Sequence, residues 1–146
     1  MNKNGKRLAC MLALCLVFLA GCGQQLGEEF SEDVNMLEGA ELSVDESLVT
    51  PVGITYSINN QSDRDLSYGQ DYSLLKEKDG KWYFVEPERS VAVTLELLWV
   101  PSGSTDTVEI SWENSYGKLP GGRYRLLKNF SDYEKGYYLA GEFDVK

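Results

Sequence analysis

Apolar and polar side chains alternate along most of this chain. Val52, Ile54, Tyr56 and Ile58 are interleaved with Gly53, Thr55, Ser57 and Asn59. A period of two places one set on a buried face and the other in water, which predicts a half-buried strand. The same period runs through Val91–Trp99, Val108–Trp112, Arg123–Leu126 and Tyr137–Val145. Shorter strands are expected over 41–48, 71–77 and 81–86. Turn residues separate the runs. Asp79-Gly80 suits a type I′ hairpin turn, which needs positive φ at both central residues. Residues 59–65 form a polar loop, and Pro101-Ser102-Gly103 and Pro120-Gly121-Gly122 mark two further turns. Seven to eight short strands with no helical period predict an antiparallel β-sandwich, with a barrel as the alternative.

The first residues follow a different pattern. Lys3, Lys6 and Arg7 precede fourteen uncharged residues, Leu8 to Gly21. A membrane-spanning helix needs about 20 apolar residues. A basic start, a short apolar run and small residues at its end are the marks of a secretory signal peptide. The run closes on Leu19-Ala20-Gly21-Cys22, which resembles the lipobox of bacterial lipoproteins. That resemblance implies cleavage between Gly21 and Cys22. It also implies a diacylglyceryl group on the Cys22 sulfur, anchoring the protein to the membrane outside the cytoplasm. Two acyl chains hold firmly where one holds marginally. Cys10 and Cys15 would leave with the signal, so no disulfide could form within the mature chain.

Charge divides what remains. The first 21 residues hold three of the 14 bases and none of the 23 acids, leaving a mature net charge of −12. Such a chain is ill suited to nucleic acid, which calls for a basic face. Eight acids and no base lie between Gly23 and Ser47. Residues 22–39 therefore read as a flexible acidic tether. The domain organisation expected is 1–21 signal peptide, 22–39 tether and 40–146 folded domain. The last spans 107 residues, enough for one core.

One local feature bears on the kind of sandwich. In "PGGRYRL", Tyr124 follows a glycine-rich turn, as does the tyrosine-corner residue of immunoglobulin domains, whose hydroxyl bonds back to the chain. Leu126 stands where those domains carry a core cysteine. Trp112 is the candidate central aromatic, at the end of its strand. Residues 48–146 resemble a bacterial Ig-like domain family of small lipoproteins. The likeness is carried by "VTPVGITYSINNQSD", "YSLLKEKDGKWYFV", "WENSYGKLPGGRYRLLKNF" and "YYLAGEFDV". It implies an immunoglobulin-like sandwich at the cell surface and no defined activity.

Catalytic chemistry finds little to work with. The chain has no histidine, which excludes Ser-His-Asp and Cys-His mechanisms and nearly all zinc sites. Glu96, Glu109 and Glu142 occupy polar phases of their strands and read as a solvated face. Asp63, Asp65 and Asp71 offer oxygens for calcium, but their spacing matches no EF-hand loop and suits Asx turns. Adjacent Tyr137 and Tyr138 must point to opposite faces, so one is expected in the core and one outside. No catalytic residue, metal or cofactor is expected. The function expected is a lipid-anchored, extracytoplasmic binding or scaffolding module for an envelope protein or glycan. The alternative is an inhibitor or regulator of an exported enzyme such as a protease. Replacing Cys22 by alanine should leave an uncleaved precursor and abolish incorporation of labelled palmitate; unchanged labelling would refute the lipobox.

Overall fold

The computed structural model describes residues 24–146. The signal peptide, Gly21 and Cys22 lie outside the described residues. Ten strands follow in order: β1 Leu26–Phe30, β2 Ala40–Val44, β3 Gly53–Asn60, β4 Leu66–Tyr68, β5 Ser73–Lys78, β6 Lys81–Val85, β7 Leu98–Val100, β8 Ser104–Ser111, β9 Gly122–Ser131 and β10 Gly136–Val145. A 3-10 turn at Glu46–Leu48 is the one helical element among the described residues. All pairings between strands are antiparallel, and they make two sheets. The protein is an all-β sandwich of the immunoglobulin-like kind.

The small sheet runs β2-β3-β8. The large sheet is centred on β9. Strand β10 pairs with β9 along its full length. The other edge of β9 is shared: β4 takes Phe130 and Ser131, and β5 takes Tyr124 to Leu127. Beyond β5 come β6 and β1, and β7 lies outside β4. Between β4 and β5 the chain leaves the edge of β9. Lys128 spans the gap: its buried ammonium donates to the carbonyls of Gly69 at 2.9 Å and Asp71 at 2.8 Å. Burial pushes that lysine down to about 8. The Asp79-Gly80 turn has φ of 54° and 75°, as a type I′ hairpin requires.

Between the sheets the core is apolar and aromatic. Ile54, Ile58, Leu74, Leu126 and Leu139 are almost fully enclosed. Phe143 stacks between Trp112 at 5.7 Å and Tyr124 at 5.8 Å. Trp112, just past β8, is wholly buried and donates its indole N–H to Pro51 O at 2.9 Å. On one flank β2 crosses directly over β10. A Cβ on Gly141 would lie 2.6 Å from a Leu42 methyl carbon and 3.0 Å from one of Val44. The sheets meet there only because position 141 has no side chain.

The chain departs from the sequence reading in three places. First, the acidic segment is no flexible tether where it is described. Leu26–Phe30 pairs with β6. The chain then crosses the outer face of the large sheet to the free edge of β10. There Asn35 donates its side-chain amide to Ala140 O at 3.1 Å and accepts from Ala140 N at 2.9 Å. This strap buries Phe30 in a second apolar cluster with Leu75, Leu127 and Ala140. Its ring meets Phe84 and Tyr138 edge-on at 5.7 and 5.5 Å. Three apolar residues, Leu26, Phe30 and Val34, outweigh the acids because the sheet beneath is apolar on both faces. Second, Val91–Trp99 is not a strand along its length. Only Leu98–Val100 pairs, with β4, and Val91, Val93, Leu95 and Leu97 are exposed. Alternation marks a segment fit for a sheet, but pairing needs a partner, and among the described residues no strand bonds this one. Third, Tyr137 and Tyr138 are both half-buried. They do face opposite ways, but the strap covers the outer face, so neither is fully in water.

Replacing Phe30 by alanine should cost about 3 kcal/mol, as for a buried aromatic side chain. Chemical denaturation checks this; an unshifted midpoint would mean that the strap holds nothing.

Candidate functional site

One end of the sandwich gathers the 61–65 loop, the β7–β8 turn and the β9–β10 turn. Asn60 organises it. Its buried side chain ends β3 and donates to Arg64 O at 2.7 Å and Val100 O at 2.9 Å. Its oxygen accepts from the Ser62 hydroxyl at 2.6 Å. Asp65 accepts from Ser102 N at 2.9 Å, and the Ser102 hydroxyl donates to Ser62 O at 2.5 Å. Loop and turn are thus knitted together by short polar side chains that bond backbone, the usual habit of Asn, Ser and Asp in turns.

Asp132 sets the neighbouring β9–β10 turn. Its carboxylate is enclosed and accepts from Glu134 N at 3.0 Å, Lys135 N at 2.8 Å and the Tyr137 hydroxyl at 3.0 Å. Arg64, itself partly exposed, pairs with the same carboxylate. The Arg64 hydrogen bond, helped by the two backbone amides and Tyr137, holds the Asp132 carboxyl well below the usual carboxylate range, against the opposing effect of burial. The turn forces Tyr133 to a φ of 74°. A bulky residue rarely adopts that backbone conformation, and such strain persists only where surrounding bonds impose it.

The consequence is an aromatic pair displayed to solvent. Tyr133 is 79% exposed, and its ring lies 4.9 Å from that of Trp99, at 31°. Trp99 projects outward from β7 and is itself partly exposed. Exposed aromatics on rigid turns are characteristic of binding surfaces, since they offer area at little entropic cost. Neither residue stood out as a pair in the sequence. Trp99 lay in a run read as a long strand, and Tyr133 was one of many tyrosines.

Of the other residues singled out from sequence, Asp63 and Asp65 belong to this end of the sandwich and the rest lie elsewhere. Tyr124 donates its hydroxyl to Pro120 O at 2.7 Å, four residues upstream, and Gln24 lies within reach at 3.2 Å. Burial pushes that phenol up to about 12. Asp63 lies beside Arg64 at 3.7 Å, and Asp71 belongs to the crossing from β4 to β5. Among the described residues no group of three Asp, Glu, His or Cys side chains is placed to hold a metal ion. Glu142 binds Arg123 and Arg125 on the outer face. Glu96 accepts from Gln70 at 3.1 Å, and Glu109 is exposed on β8.

The Asp132 carboxyl gives a test of how the turn is held. A group whose pKa falls on folding contributes stability above its unfolded value, about pH 4, and loses that contribution as pH drops toward the folded value. Asp132→Asn should therefore be less stable than the wild type at pH 7. The difference between the two should narrow as the medium is acidified below about pH 4, read from urea midpoints.

No curated protein matches the chain. A family described as bacterial Ig-like domain matches residues 36–144. The match covers every strand from β2 to the penultimate residue of β10 and leaves β1 outside. With most of its length matched and the two-sheet fold in place, the chain belongs to the bacterial Ig-like domain family.

Proposed function

We infer that the protein is a lipid-anchored surface binding module, without catalytic activity, that recognises its ligand through the Trp99–Tyr133 pair. Domains of this family are generally non-catalytic and typically found at the surface. The observation that carries the reading is the strained, exposed Tyr133 packed at a tilt against Trp99. Backbone strain costs about 1–3 kcal/mol and is commonly stored where a side chain must be presented. The flanking Arg64, Asp63 and Glu134 provide both donors and acceptors for a polar ligand such as a glycan or an envelope protein. The anchor assigned to Cys22 rests on the sequence motif and would hold the module outside the cytoplasm.

A second reading, an inhibitor of an exported enzyme such as a protease, draws on the exposed segment 86–97 between β6 and β7. Inhibitory loops need bracing, and among the described residues this segment has two backbone bonds to the body, both near its start, from Glu86 N to Gln25 O at 2.9 Å and from Arg89 N to Ser115 O at 3.1 Å, with the Gln70–Glu96 contact beside them. The aromatic pair, fixed by its turn, supports the first reading better.

The test is a glycan array together with a pull-down from envelope extract, run with the full chain and with Trp99→Ala/Tyr133→Ala. Central aromatic contacts are each worth about 2 kcal/mol or more at an interface. The double variant should keep its thermal midpoint within a few degrees and lose at least about tenfold in retention. Retention unchanged by the double variant would remove the pole as the binding surface.

A further inference from the structure

The flank opposite Gly141 is open. Strand β8 bonds β3 on one side, and among the described residues no strand bonds it on the other. Trp112 N donates to Val52 O, toward β3. In an antiparallel ladder the direction alternates, so the N–H groups of Thr107, Glu109 and Ser111 point to the free edge. An unpaired edge of this length is a template for another strand. Inward from that edge, Val108 and Ile110 are only half-buried.

Segment 91–97 runs beside this edge without closing it. The chain is pinned near both ends of β8, by Arg89 N to Ser115 O at 3.1 Å and by the turn in which Ser104 N donates to Pro101 O at 3.1 Å. Between these points Leu95 is fully exposed, and Val91, Val93 and Leu97 are at least half exposed. A cleft of about 780 Å³ separates the segment from β8, with Tyr56, Tyr68, Val108 and Ile110 among its walls. That volume is of the size that takes a ligand. Its length is set by a strand edge, and apolar side chains such as Val91, Val93, Leu98, Val108 and Ile110 alternate with polar ones along its walls. Asp71 and Glu109 lie on the cleft with Arg89 as the opposing charge, in a chain of net −9.

We propose that this cleft is a strand-addition site. It takes an extended peptide, apolar at alternate positions and neutral or basic between them, which pairs with β8 while residues 91–97 cover its outer side. Main-chain bonds to the edge supply affinity, and the cleft between Val93 and Ile110 selects the apolar side chains. The site lies on the flank, apart from the aromatic pair, and stands independently of the function inferred for it.

The probe is a ten-residue synthetic peptide with valine at every second position and lysine or threonine between, titrated into the full-length protein in detergent. A peptide of the same composition in block order is the control. Saturable binding of the alternating peptide alone is expected, with amide exchange at Thr107, Glu109 and Ser111 slowed at least about tenfold. Glu109→Pro, which removes one free-edge donor, should weaken binding at least about tenfold. Equal binding of both peptides, no saturation, protection mapped away from β8, or full protection of those three amides before peptide is added would each overturn the proposal. Should Glu109→Pro not fold, the exchange map of the unaltered chain decides alone.

Discussion

The two sheets are joined by packing, with a few hydrogen bonds across, from Asn60 to Val100 O at 2.9 Å and from the Tyr68 hydroxyl to Asp106 at 2.6 Å. The described chain contains no cysteine, so a sandwich that others cross-link with sulfur depends here on contact between side chains. The stack of Trp112, Phe143 and Tyr124 is the centre of that contact. It joins the end of β8 in one sheet to β9 and β10 in the other. A domain of this size has a stability of only about 5–15 kcal/mol, and one buried aromatic accounts for a large share of it. The indole bond to Pro51 O and the phenol bond to Pro120 O satisfy the polar atoms of the stack without admitting water.

That dependence explains the doubled burial of the large sheet. Its inner face packs on the small sheet and its outer face lies under the N-terminal strap. Strands β5, β9 and β10 accordingly carry apolar neighbours side by side, at Leu74-Leu75, Leu126-Leu127 and Leu139-Ala140. One member of each pair enters the main core and the other enters the cluster around Phe30. The flanks differ for a related reason. Gly141 lets β2 press onto β10 and seal one side, while β8 has no such neighbour and leaves the other side open.

Much of this was readable from residues close together in the chain. β3, β8, β9 and β10 announce themselves by alternation, the Asp79-Gly80 hairpin by its dipeptide, and the buried Trp112 by its place at the end of an alternating run. What escaped depends on residues far apart. β1 hides in an acidic stretch because its pairing with β6 and its cover over Leu75 and Leu127 are long-range. Val91–Leu97 has the local pattern of a strand but no bonded neighbour. Lys128 sits in the inward phase of β9 where leucine would be expected, and only the carbonyls of Gly69 and Asp71 explain it. The aromatic pole needed Trp99 and Tyr133 brought together by two separate turns. Asn60 read as part of the polar loop 59–65, yet it ends β3, and its side chain makes four hydrogen bonds that the sequence does not announce.

The strap has a mechanical meaning as well. Gln24 reaches Tyr124 with its side chain, and Gln25 accepts from Glu86 N at 2.9 Å. An anchor on Cys22 would sit only two peptide steps away, about 7 Å at full extension. Such a mount has almost no slack. The module would ride close against the headgroups with little freedom to swivel, and its reach would be that of its own body rather than of a leash.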